Sequence, residues 1–217
     1  VWVWVELGAD ERIGGDLQAE VDVAVAEAYR EAGLRVSVAR DALSDRSNTG
    51  DNTPVFLDVT SRRGGGATVH VMLKGGGSDN ASRIEMLAPA AGFEGVAGFV
   101  ERVVVEHGPY ACPPLVLGVA VGGTFDKVGL LSKRALLRRI GSETGPGVIG
   151  ERDPSLAMLA RELLERVNST GIGPAGLGGD TTGLAGHLAT APCHIAALPV
   201  AVNLGCCAMR SASVELS

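Results

Sequence analysis

Aromatic side chains make up only 4% of the 217 residues, and Lys and Arg together number 19 against 25 Asp and Glu. The shortage of base leaves a net charge of −6 and a pI near 5.2. That excludes a general nucleic-acid binder, because phosphate neutralisation needs a basic face and these cations are scattered. No apolar run approaches the roughly 18 uninterrupted residues of a membrane span, and the opening Val1-Trp2-Val3-Trp4-Val5-Glu6 is too short for a signal core and has no basic lead. A soluble, cytoplasmic chain is expected, with neither membrane nor nucleic acid among its partners. Cysteine is scarce too. Cys112, Cys193, Cys206 and Cys207 could close two disulfides, but there is no secretory marker and the chain is long enough to bury a core without staples. Free thiols or metal ligands are the expectation. The chain opens in a strand-like segment without an initiator Met, so upstream residues are expected.

What the sequence has in excess is glycine, 31 residues, clustered at the ends of apolar segments. Polar and glycine-rich blocks that no core needs recur: Asn48-Thr49-Gly50-Asp51-Asn52, Lys74-Gly75-Gly76-Gly77-Ser78, Cys112-Pro113-Pro114, and Cys193-His194 running to Cys206-Cys207. Glycines let backbone N–H groups approach a ligand closely, and soft thiolates among them can hold iron, so the blocks together suggest a metal-assisted reaction on a small anion.

The scaffold is legible from periodicity. Val1 to Glu6, Pro54 to Thr60 and Ala67 to Leu73 read as strands, with Arg62 to Gly66 as a hairpin loop between the last two. Between the first two strands, Leu17, Val21, Val25, Ala28 and Tyr29 share a helical face, with Asp16 as N-cap and Gly33 as the stop. Gly92 to His107, Phe125 to Ile140 and Leu156 to Val167 read as helices, Lys133, Arg134, Arg138 and Arg139 forming a solvated face. Leu115 to Val121 is a fully apolar strand, Ser142 to Pro154 a loop, and Ile195 to Leu204 a strand that Pro199 places at an edge or bend. The fold class is α+β: a small mixed or antiparallel sheet flanked by helices, in a single domain over residues 1–217 with no evident internal boundary.

Three tempting motifs are discounted. Gly171-Ile172-Gly173-Pro174-Ala175-Gly176 satisfies a dinucleotide pattern but follows a helix where a strand is required. Lys74 to Ser78 lacks the spacing of a phosphate-binding P-loop, and Asn168-Ser169-Thr170 is a chance sequon in a cytosolic chain. What remains is geometric: Gly75, Gly76 and Gly77 follow a strand and precede a helix near Ser78, so their N–H groups could cradle a carboxylate with Lys74 adding charge. A ligand-free glycine turn, and an ordinary Asx turn at Asn48 to Asn52, stay open as alternatives.

Asn48 to Pro54, Lys74 to Ser78, Ala111 to Pro114, Gly118 to Lys127 (GVAVGGTFDK), Gly171 to Thr182 (GIGPAGLGGDTT) and Ala191 to Cys206 (APCHIAALPVAVNLGC) together resemble the iron–sulfur class I fumarase and L-tartrate dehydratase family. The similarity spans nearly the whole chain and corresponds to the alpha subunit of the two-subunit enzymes or the N-terminal domain of the fused ones. It implies a 4Fe-4S cluster held by three cysteines, with an open iron that acts as a Lewis acid in reversible hydration of fumarate to L-malate.

By that resemblance Cys112 and Cys206 match two ligand positions. The third lies in a Cys-Gln-Asp-Thr-Gly segment that this chain does not contain. His194 matches a substrate-contacting histidine, Arg35 an arginine that binds a substrate carboxylate, and Gly76 and Gly77 donors to substrate or cluster. Lys74, Gly75, Asn48, Thr49 and Asp51 complete the expected substrate site. The implied partners are a small dicarboxylate and a beta subunit or C-terminal domain in an oligomer, without which the chain should be inactive. Asp180 departs from the family pattern, where many relatives carry a basic residue, and His187 reads as peripheral. L-tartrate dehydratase is the alternative within the class; a cluster-free binding or assembly subunit is the alternative outside it, and a zinc site a distant third.

Overall fold

A computed structural model describes residues 1–141 and 154–216, and the expected loop at Ser142 to Pro154 lies almost wholly outside the described residues. The chain is mixed α and β, as expected, but builds two four-stranded mixed sheets rather than one. They belong to two compact units: Val1–Leu73 joined by the last strand, and Lys74–Met209. Among the described residues no helix is long and apolar enough to cross a membrane.

The smaller unit is organised by β1 (Trp2–Gly8), whose alternation of valine and tryptophan makes it apolar on both faces. Trp2, Val3, Trp4 and Val5 are all buried, so β1 has to be an interior strand. It pairs in parallel with β2 (Phe56–Arg62) and antiparallel with β3 (Ala67–Leu73), and β3 pairs antiparallel with β8 (Arg210–Leu216). Val3 and Val5, with Val69 and Val71, pack against Leu17, Val21 and Val25 of helix α1 (Leu17–Glu31). Asp16 caps that helix by accepting the Ala19 N–H at 3.1 Å, and Gly33 closes it at φ +59°. On the opposite face the His70 ring stacks on Trp4, with Nδ1 on Ser213 Oγ at 2.7 Å and Nε2 on Glu6 at 3.0 Å.

The hairpin expected at Arg62 to Gly66 is not formed, because β1 lies between β2 and β3. The segment instead arches over the end of β1. Gly8 and Ala9 donate to Gly66 O and Gly64 O at 2.8 and 2.9 Å, and a Cβ on Gly8 would stand 2.5 Å from Gly64 O.

The larger unit carries the order β4-β7-β5-β6, with β4 at Arg83–Leu87, β5 at Leu115–Gly123, β6 at Gly183–Cys193 and β7 at Leu198–Gly205. Strand β7 runs antiparallel to both neighbours, and β5 is parallel to β6. The run Leu115-Val116-Leu117-Gly118-Val119-Ala120 alternates large and small, and the two faces take different partners. Leu115, Leu117 and Val119 pack under α3 (Gly92–His107) and α5 (Pro154–Ser169), through Val96, Val100, Val103, Leu163 and Val167. Ala120, Ala189 and Ala201 face α4 (Phe125–Ala135) through Val128, Leu131 and Ala135.

Two expectations are corrected in this unit. Pro199 does not put its strand at an edge or bend, for β7 is interior. The pairing with β5 ends at Val200, so the missing N–H of Pro199 falls where only β4 is alongside. Helix α4 stops at Ala135, and its basic tail is not a solvated face throughout, since Arg138 is half-buried and donates to Leu188 O at 3.3 Å. His187 on β6 is buried, and burial, followed by the charge of Arg138, pushes its pKa down to about 4.

Two measurements follow from these contacts. A Cβ on Gly118 would lie 2.2 Å from Ser132 O and 2.9 Å from Leu136 Cγ, so Gly118→Ala should force α4 off the sheet and cost about 3 kcal/mol by urea unfolding. For His187 the unfolded chain takes up a proton near pH 6.5 that the folded chain refuses until about pH 4. Its contribution is therefore fully present above pH 6.5 and falls by about 3 kcal/mol as pH drops through that window. Comparing wild type with His187→Leu across pH 4 to 7 should show the difference as a slope confined to the wild type.

Candidate active site

Strand register decides which blocks meet in the larger unit. Val116 pairs with Gly205, so Cys206 emerges beside the start of β5, the same end that Cys112 and Pro113 lead into. The Cys207 N–H donates to the Cys112 carbonyl at 3.3 Å, which joins the two cysteine segments directly. Cys206 is buried at 9% exposure, while Cys112 is exposed. Cys112 adopts φ +54°, left-handed for a residue that is not glycine and that precedes a proline, a conformation held at a cost in strain.

The block at residues 171–182 reaches the same end. Leu115 N–H donates to Thr182 O at 2.8 Å, and Ala175 N–H to Pro113 O at 2.9 Å. The Rossmann reading fails as expected, since helix α5, ending at Ser169, stands before Gly171 where a strand would be needed. Asn168, read as part of a chance sequon, holds this loop by accepting from Thr182 N and Gly183 N at 2.9 and 2.8 Å. Nothing in the local sequence signals that role, because the two donors lie more than a dozen residues away.

Lys74 to Ser78 forms the third wall. Gly75 is the N-cap of a short helix, α2 (Gly76–Asn80), whose first N–H groups have no intrahelical acceptor. A Cβ on Gly77 would stand 3.0 Å from Tyr110 O, and one on Gly75 would stand 4.0 Å from Cys206 Sγ, so this glycine turn packs against both cysteine segments. Ser82 Oγ donates to Ser78 O at 3.0 Å and accepts the Leu204 N–H at 3.1 Å, tying α2 to the strand that delivers Cys206. Lys74, with 5% of its side chain exposed, bonds Asp79 at 2.9 Å. Burial pulls the ammonium pKa below its usual range, and the bond to Asp79 restores it only in part. Burial raises the Asp79 carboxyl, but Lys74 more than offsets this and holds it below the usual value.

His194 is at the other end of the sheet. Gly123 pairs with Cys193 at the far end of β5, and the turn from His194 to Ala197 crosses there to β7. Its Nδ1 accepts the Ala196 N–H at 3.1 Å. The structure thus gathers Lys74, Gly75, Gly76, Gly77, Cys112 and Cys206 at one end and leaves His194 out of that group.

Arg35, Asn48, Thr49 and Asp51 fall in the smaller unit, where they share one loop cluster. Asn48 donates to Val36 O at 3.0 Å, Thr49 N–H to Val38 O at 2.9 Å, and buried Asn52 accepts the Ser37 N–H at 3.0 Å. The block therefore clasps the segment that follows exposed Arg35. Asp51 accepts from Thr53 N and Oγ1, which lowers its carboxyl pKa.

The family model described as Fumarate hydratase (Fumerase) matches residues 1–215. The chain belongs to the fumarate hydratase family. This fumarase-family chain is 38% identical over 197 residues to a Methanocaldococcus jannaschii chain provisionally named an L(+)-tartrate dehydratase alpha subunit, covering 89% of this chain and 66% of that one. It is 32% identical over 219 residues to the L(+)-tartrate dehydratase subunit alpha of Escherichia coli, covering 100% and 70%. The chain of the same name from Shigella sonnei is 33% identical over 213 residues, covering 97% and 68%. The chain thus spans about two thirds of the length of these relatives.

A stability test isolates the buried ammonium. Asp79→Asn strands Lys74 beside a neutral amide and should cost about 1 to 3 kcal/mol in urea unfolding, whereas Lys74→Met removes the buried charge and should cost less.

Proposed function

We propose that this fumarase-family chain is the cluster-binding part of a hydro-lyase that adds water to, or removes it from, a four-carbon dicarboxylate, working with a second subunit or domain. The observation that carries the reading is the meeting of the two cysteine segments, through the Cys207 to Cys112 bond, beside the glycine turn and Lys74. The donor set suits an iron–sulfur cluster, being soft thiols next to buried positive charge. Among the described residues no three Cys, His, Asp or Glu side chains form a metal-holding group, so the third ligand of a three-cysteine cluster is expected from outside this sequence.

Cys112 and Cys206 would hold the 4Fe-4S cluster, whose open iron supplies Lewis acidity toward the substrate hydroxyl and carboxylate. The remaining work falls to side chains and backbone. Lys74, short of water and only partly neutralised by Asp79, offers charge to a substrate carboxylate, and the first N–H groups of α2 offer donors to the same anion. The buried position of Lys74 fixes its ammonium in place, so little order is lost when the anion arrives. By the family resemblance, His194, which stands at the opposite end of β5 from the thiols, is proposed as the catalytic, substrate-contacting histidine, and Arg35 with Asn48, Thr49 and Asp51 as further substrate contacts.

Fumarate and L-malate are the substrates the family description favours; L-tartrate is the second reading, favoured by the names of the alpha-subunit relatives. Anaerobic reconstitution of the assembled enzyme with iron and sulfide should give a visible charge-transfer band and turnover of one of these substrates, the preferred one settling the choice. Cys112→Ser or Cys206→Ser should abolish both band and turnover. Reconstituted wild type without either would leave the cluster-free assembly subunit as the better description.

A further inference from the structure

The ion pair that brackets the glycine turn is lopsided. Lys74 has 5% of its side chain exposed, whereas Asp79, 2.9 Å away, has 59%. The ammonium is covered and its stem is packed, so it stays where it is. The carboxylate reaches water and can turn away, because solvent takes over the bond it gives up. The backbone beneath it is pinned. Asp79 N–H donates to Gly75 O at 3.1 Å, and the Oγ of buried Ser78 donates to the same carbonyl at 2.9 Å. A swing of the Asp79 side chain therefore leaves the turn intact.

Two neighbours give the pair its setting. Gly75, next to Lys74, is the residue whose added Cβ would stand 4.0 Å from Cys206 Sγ, so the pair lies at the thiol end of β5. Lys133, in the last turn of α4, is close enough for its charge to bear on both Lys74 and Asp79. When Asp79 swings out, Lys74 is left buried beside a like charge. That state is costly unless another anion enters.

Resting on the hydro-lyase reading above, we infer that Asp79 is a place-holding carboxylate: it pairs Lys74 in the empty site, yields the ammonium to a substrate carboxylate on binding, and takes it back on release. Lys74 is then never buried without a counter-charge. The exchange also filters anions. A resident competitor lowers the affinity of every anion for Lys74 by the same factor, so an anion held by Lys74 alone is shut out, while a dicarboxylate gripped at its second carboxylate still binds. Asp79 touches no substrate and acts through Lys74, as a positioning residue.

Succinate and propionate test this, since they differ by one carboxylate and have neither a double bond nor a hydroxyl, so water is neither added nor lost. Each is titrated calorimetrically into the reconstituted enzyme assembled with its second subunit. Asp79→Asn should bind both about tenfold tighter than wild type, which brings propionate into measurable range. Lys74→Met should bind succinate about tenfold weaker, and Asp79→Glu, which keeps the charge, should match wild type. In turnover, Asp79→Asn should lower KM with kcat no higher, because ground state and transition state gain alike. A residue that only supported the fold would lower kcat through lost active enzyme and leave KM unmoved. Should Asp79→Asn not assemble, the Lys74→Met background decides, where adding Asp79→Asn should change succinate affinity by less than about twofold. Asp79→Asn binding succinate no tighter than wild type, Lys74→Met binding it as well as wild type, or a larger change in the double variant overturns the inference. These results leave the hydro-lyase reading standing, since that reading fails only if reconstituted wild type neither binds iron nor turns over substrate.

Discussion

The larger unit depends on one strand being covered on both faces. β5 presents Leu115, Leu117 and Val119 to one helical layer and Gly118 and Ala120 to the other, with β7 and β6 on its two edges. A strand in that position has no freedom of register, because a slip of one residue would drive leucines into the face where α4 touches the backbone. That rigidity is what lets the two ends of β5 act as fixed points. One end receives Cys112, Cys206, Thr182 and the glycine turn after Lys74; the other receives the Gly122 corner, Thr124 and His194.

The polar chemistry at the cysteine end is built against the usual preference of polar groups for water. Lys74 is almost fully covered and Cys206 nearly so, while Cys112 carries a left-handed backbone. Each is a local cost, held by the hydrogen bonds and packing that surround it: Asp79 on Lys74, Ser82 between α2 and β7, and Asn168 on the loop that supports Pro113. A site whose charge and strain are set before the ligand arrives loses little order when it binds, which suits stabilisation of a charged intermediate.

Much of this was legible in the residues. Asp16 and Gly33 mark the ends of α1 to within two residues, Gly92 to His107 is read without error, and the unbroken apolar run of residues 115–121 identifies a buried strand. The failures share a cause. Arg62 to Gly66 has the composition of a hairpin loop yet crosses over β1, and Pro199 looks like an edge marker yet stands in an interior strand beyond the reach of its second neighbour. Basic residues after Ala135 read as a solvated face, although Arg138 bonds Leu188 in the sheet. Composition reports what a segment can do alone; pairing depends on which other strand is more completely apolar.

The same division holds for the site. The sequence by itself determined the chemistry: soft thiols, glycine turns, a lysine among them and one histidine in a polar block, because ligand type and backbone freedom are properties of the residues themselves. Only the tertiary structure decided the grouping, which joins Lys74, Cys112 and Cys206 and sends His194 to the far end. Direction of pairing places a residue at one end of a strand or the other, and the eleven positions between His194 and Cys206 say nothing of whether the chain folds back or runs straight on.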